Sequence, residues 1–139
     1  MIQAINHIGI AVKNIEESKA LYKKIFNVEH FHEEIVQEQK VIVASFKVGE
    51  VMIELTAPTD EQSPIANFLA KRGEGIHHIA FACDSIHNDL QKLGEQGIQL
   101  IHNVPTQGAH DMLIGFLHPK STGGVLMELC QHNSELIRE

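Results

Sequence analysis

The chain has 139 residues, 43% of them hydrophobic, with a formal charge of −7. That length builds one ordinary core and leaves no room for a second domain. The acidic balance argues against a nucleic-acid surface, which would need clustered Lys and Arg, and no apolar run approaches the roughly 18 to 20 residues that cross a bilayer. Cys83 and Cys130 both lie in apolar, strand-like stretches, so they read as reduced core residues and not as a disulfide framework. Met1-Ile2-Gln3-Ala4 has neither the basic start nor the apolar core of a signal peptide. A cytoplasmic location is the expectation.

In chain order, residues 4–12 read as a strand, followed by a helix of about a dozen residues. Asn14 is its N-cap and Asn27 its stop, and Ile15, Ser18, Leu21, Tyr22 and Ile25 form its inward face. From Val28 to Pro58 the period shortens to that of strands, broken at Gln37-Glu38-Gln39-Lys40 and at Gly49-Glu50, which predicts a three-stranded meander. A polar loop then leads to a short helix over 65–72 beginning beside Pro64. From Gly73 the pattern starts again. A strand over 76–83 precedes a helix capped at Asp84 or Ser85 and stopped at Gly97; strands near 98–103, over 111–117 and over 124–130 follow. The order βαβββ therefore occurs twice. This indicates a single α+β domain over 1–139, with module one at about 1–72, module two at about 73–131 and a polar tail at 132–139. Pairing of two such modules, each with helices on its outer face, would enclose a central cavity.

The repeat extends to chemistry. Asn6-His7-Ile8-Gly9-Ile10-Ala11-Val12 has the form of His77-His78-Ile79-Ala80-Phe81, and His7 and His78 are seventy-one residues apart. Val51-Met52-Ile53-Glu54-Leu55 is echoed by Val125-Leu126-Met127-Glu128-Leu129, seventy-four residues on. Taken singly, each histidine reads as a satisfied core residue and each glutamate as solvent-facing. Four of them repeated at matched places do not, because a buried unpaired carboxylate is costly. Two imidazoles and two carboxylates, His7, Glu54, His78 and Glu128, suit one divalent ion such as Zn, Co, Ni or Mn. His77 should face away from His78 by strand alternation. No phosphate loop, nucleophile elbow or Cys-x-x-Cys is present. His118-Pro119-Lys120-Ser121 beside the last strand could clamp an anionic substrate through Lys120, and His110 flanks a neighbouring glycine-containing loop.

Four stretches then carry a resemblance: residues 6–12, Ser63-Pro64-Ile65-Ala66-Asn67-Phe68-Leu69, Gly73-Glu74-Gly75-Ile76-His77-His78-Ile79-Ala80-Phe81, and 116–129. With the paired βαβββ modules, they resemble the vicinal oxygen chelate superfamily and, within it, the methylmalonyl-CoA epimerases, over nearly the whole length. The first stretch is common to the superfamily; the other three belong to the epimerase group. The resemblance implies a curved-sheet fold around a metal cavity, with His7, Glu54, His78 and Glu128 as ligands; Gln is tolerated at the position of Glu54. It implies an acyl-CoA substrate, (R)- and (S)-methylmalonyl-CoA interconverted by 1,1-proton transfer through a metal-stabilised enolate, with Glu128 as one base, in a homodimer. The chain departs from part of the family at Val43, where some members carry an opposing glutamate; Glu38, Ser45 and His110 are the candidate stand-ins. The rival expectations are a glyoxalase I-type lactoylglutathione lyase, which would use the same ligands, and a metal-free binding or resistance protein of the same fold.

Overall fold

The structure, a computed structural model, describes residues 1–136; the last three positions of the polar tail lie outside it. The chain forms two compact units, His7–His77 on the one hand and Met1–Asn6 with the chain from His78 onward on the other.

The first unit follows the expected order closely. Strand β1 (Ile2–Ala11) leads to helix α1 (Ile15–Phe26), then β2 (His32–Val36), β3 (Val41–Val48), β4 (Val51–Pro58) and α2 (Pro64–Arg72). Asn14 accepts the Glu17 N–H at 3.0 Å, and the helix ends at Asn27 with φ 56°, so both caps read from the sequence form. Ser63 caps α2 through the Ile65 N–H, with Pro64 at the first helical position. The sheet order is β2-β3-β4-β1, antiparallel except that β1 runs parallel to β4. On its helix-covered face Val12, Ala44, Leu55 and Ala57 pack with Ile10, Ile15 and Tyr22. The inward face expected for α1 is only partly realised. Ser18 is buried, while Leu21 and Ile25 are 54% and 62% exposed, because Tyr22 and Phe26 turn the packed stripe towards Phe46 in an aromatic cluster.

The second unit repeats the plan with β5 (Gly75–Cys83), α3 (Ile86–Glu95), β6 (Thr106–Gln107), β7 (Met112–Leu117) and β8 (Met127–His132), then a one-turn α4 (Asn133–Leu136). Its order is β5-β8-β7-β6, with β5 parallel to β8 as β1 is to β4. Two expectations are corrected. No regular strand forms near 98–103: Leu100 makes an isolated bridge to Leu117, and Ile98 and Leu100 pack into the core beneath α3. The edge strand is instead the two-residue β6. The last strand starts at Met127 and not at residue 124, because Gly123 and Gly124 hold left-handed backbone at φ 70° and 93° before it. Ser85 sits at the N-cap of α3 without a side-chain bond. The cap comes from β8, where buried Gln131 accepts the Ile86 N–H at 2.8 Å and donates to the Asp84 carbonyl at 2.6 Å. Burial pushes the Cys83 thiol up to about 12, so it stays protonated as a core residue.

Candidate functional site

Each unit holds one buried imidazole beside one buried carboxylate. In the first, β1–β4 pairing sets Gly9 against Glu54, and His7 stands two residues before Gly9, on the same face of its strand. His7 Nε2 lies 3.4 Å from Glu54 Oε1, and the two residues are each 5% exposed. In the second, β5–β8 pairing sets Ala80 against Glu128, and His78 stands two residues before Ala80. His78 Nε2 lies 3.5 Å from Glu128 Oε1, again in a buried pair. The two arrangements are built by the same rule. A parallel pairing at the same register, with His two positions back on the neighbouring strand, converts the sequence repeat into a geometric one.

Burial pushes the Glu54 carboxyl up to about 8, and the charge of Glu34 adds to the effect. Left alone in that setting the carboxyl would hold a proton; a cation beside it would keep it ionised. The His–Glu separations also exceed the roughly 2.7 to 2.9 Å of a charge-assisted hydrogen bond. They match the roughly 2.8 to 3.6 Å between adjacent donors when each lies about 2.0 to 2.2 Å from a shared ion at octahedral to tetrahedral angles. The donors therefore fit a divalent metal in type, burial and spacing.

The second unit orients its histidine by packing. Phe116, which pairs with Glu128 across β7–β8, meets the His78 ring edge-on at 5.5 Å between centroids. Phe116 is itself held by His102, whose Nδ1 accepts the Phe116 N–H at 3.3 Å and whose pKa is lowered by burial. The histidine count singled out His102 for nothing, because only the chain crossing between Leu100 and β6 brings it to Phe116. His77 faces away from His78 and packs edge-on against Phe68 of α2 at 5.0 Å; burial holds its pKa down at about 4, so it is neutral.

The segment expected to clamp an anion forms a local turn. His118 Nδ1 accepts the Lys120 N–H at 3.1 Å, and Ser121 Oγ accepts the Gln99 N–H at 2.9 Å, which leaves the exposed Lys120 as the cation of that segment. His110 is half-buried at the tip before β7, with left-handed backbone at φ 57° shared by Asp111.

Residues 6–116 match the family described as the Glyoxalase/Bleomycin resistance protein/Dioxygenase superfamily. The chain belongs to that superfamily. Its fold is accordingly the α+β vicinal oxygen chelate fold, with βαβββ used twice. Among its superfamily relatives, an uncharacterised Bacillus subtilis protein is 45% identical over 93% of this chain and 96% of its own length. The mitochondrial methylmalonyl-CoA epimerase of Dictyostelium discoideum is 39% identical, covering 92% of this chain and 78% of that one. A solved superfamily structure, a methylmalonyl-CoA epimerase in complex with methylmalonyl-CoA and NH4+, is 34% identical, with a TM-score of 0.91 over 96% of this chain and 97% of its own. No helix among the described residues is long and apolar enough to cross a membrane.

Proposed function

We propose that the protein is a metal-dependent epimerase that interconverts (R)- and (S)-methylmalonyl-CoA, with His7, Glu54, His78 and Glu128 holding one divalent ion. The observation that carries this reading is the duplicated buried imidazole–carboxylate pair, spaced at 3.4 and 3.5 Å. The epimerase names among relatives of matching length supply the substrate class. When bound, the ion supplies Lewis-acid stabilisation to the negative charge that builds on the substrate's thioester oxygen.

The side chains do the rest. Glu128 accepts the proton on the carbon between thioester and carboxylate. Its neighbours on that face, Ala80 and Phe116, are 0% and 8% exposed, and they keep competing water from the base. His78, wedged by Phe116, keeps the Glu128 carboxylate in one orientation. Lys120, on the turn after β7, offers a positive charge to the anionic coenzyme A portion. We place the enzyme in the cytoplasm as a homodimer, which fractionation and light scattering read directly.

The deciding experiment is proton exchange in deuterated water. Wild-type protein should invert methylmalonyl-CoA and introduce deuterium at its central carbon, lose both activities on chelation, and regain them on adding Zn, Co, Ni or Mn one at a time. Turnover of a glutathione hemithioacetal, with no exchange into methylmalonyl-CoA, would replace the epimerase reading by the lyase one. Absence of any bound or activating metal would favour a binding protein.

A further inference from the structure

Inverting a carbon centre by proton transfer requires a proton to leave from one face and another to arrive at the opposite face. The reading above gives Glu128 one face. It leaves the other unserved.

The register of the first unit's sheet brings forward a carboxylate that the strand sequence alone conceals. Across β2, β3 and β4, His32, Ser45 and Glu54 are direct partners in one row, and Glu34, Val43 and Thr56 in the next. Direct cross-strand partners project from the same face, and so do residues two apart on a strand. Glu34 therefore projects from the face that carries Glu54. A second observation agrees. The adjacent Glu33 reaches to the other side, where its carboxylate meets Lys19 of α1 at 2.7 Å, so alternation sends Glu34 away from the helix.

The immediate setting suits proton transfer. Val43, Ser45 and Thr56 form a floor that is 3%, 2% and 6% exposed. Glu34 stands at its margin with 30% of its side chain accessible, its Oε1 3.2 Å from His32 Nε2. The imidazole fixes the carboxyl, while the partial exposure lets its proton exchange with water between turnovers.

We infer that Glu34 is the acid–base residue for the face of the reacting carbon that Glu128 does not serve, with His32 as its positioning residue. This rests on the epimerase reading. In one direction Glu128 takes the proton: the carbon–hydrogen bond breaks, its electron pair enters the enolate, and an O–H bond forms on Glu128. Glu34, protonated, then gives up its proton as the enolate collapses, and a carbon–hydrogen bond forms on the opposite face. The other epimer runs the same two transfers in reverse. One proton is taken and one is returned, with no change of oxidation state.

The test uses the metal-loaded full chain and its Glu34→Gln and Glu34→Asp variants, following inversion of each pure epimer of methylmalonyl-CoA. Glu34→Gln should lower kcat about 10²- to 10⁴-fold, with KM, metal content and melting temperature close to wild type. Glu34→Asp, which keeps a carboxylate, should retain at least tenfold more turnover than Glu34→Gln. Wild-type kcat in Glu34→Gln, equal losses in both variants, or a loss that appears in KM or metal content would each overturn the assignment. A wild-type protein that does not invert the substrate would instead sink the epimerase reading itself.

Discussion

His77 and His78 are adjacent, yet β5 gives them unrelated environments. His78 is 8% exposed beside Glu128 and wedged by Phe116; His77 is a neutral imidazole stacked edge-on against Phe68. His78→Ala should therefore lose bound metal, measured as ions per chain after dialysis, together with activity. His77→Ala should keep both and cost only the packing of one ring, on the order of 1 kcal/mol. Equal metal loss in the two would place the ligand on the wrong side of the strand. At this scale the sequence was informative where residues recur: His7 with His78, and Glu54 with Glu128, stand out because the same side chains return in the same apolar surroundings. Glu34 does not recur. Its role depends on which residue of β3 it faces, and that register is fixed by the turn at Gln37–Gln39 with Lys40 in left-handed backbone at φ 56°, a geometry that residue types do not announce.

Elements whose ends are set by neighbouring residues were readable, and those set by distant ones were not. Asn14, Asn27 and Ser63 act within three residues of the helices they bound. The cap of α3 arrives from Gln131, forty-five residues away, so Asp84 or Ser85 looked sufficient from local chemistry. The apolar run near 98–103 has strand composition, but its side chains go to the core under α3 and only one bridge forms. What decides how close α3 lies to the sheet is Gly115 on β7. A Cβ there would come within 2.8 Å of Leu90 Cδ1, and Leu90 is 1% exposed among Cys83, Ile86, Leu117 and Leu129. The leucine has nowhere to swing. Gly115→Ala should thus destabilise the fold by about 1 to 3 kcal/mol through overpacking, seen as a lower urea midpoint at unchanged slope. An unchanged midpoint would mean that the helix yields without cost.

For the chain as a whole, the duplicated plan was the most legible property, since βαβββ appears in the periodicity of both halves and again in the parallel pairings β1 with β4 and β5 with β8. The two units were less so, because the division between them falls inside two strands, between Asn6 and His7 of β1 and between His77 and His78 of β5, where the strand pattern is unbroken. Each unit brings one imidazole and one carboxylate, two donors, which is fewer than the three or four protein ligands a metal centre ordinarily uses. An ion that takes all four donors binds only when both units are folded, and its binding energy is then folding energy for the entire chain. At a free metal concentration of 100 times Kd this amounts to about 2.7 kcal/mol, a rise of about 10 °C in melting temperature for a domain of this size. Stripping the protein with a chelator and titrating the ions back in a thermal scan should recover that rise. His7→Ala and His78→Ala, altered in different units, should each abolish the whole increment. If either variant keeps about half of it, each pair holds an ion of its own, and the single shared centre proposed for this protein is wrong.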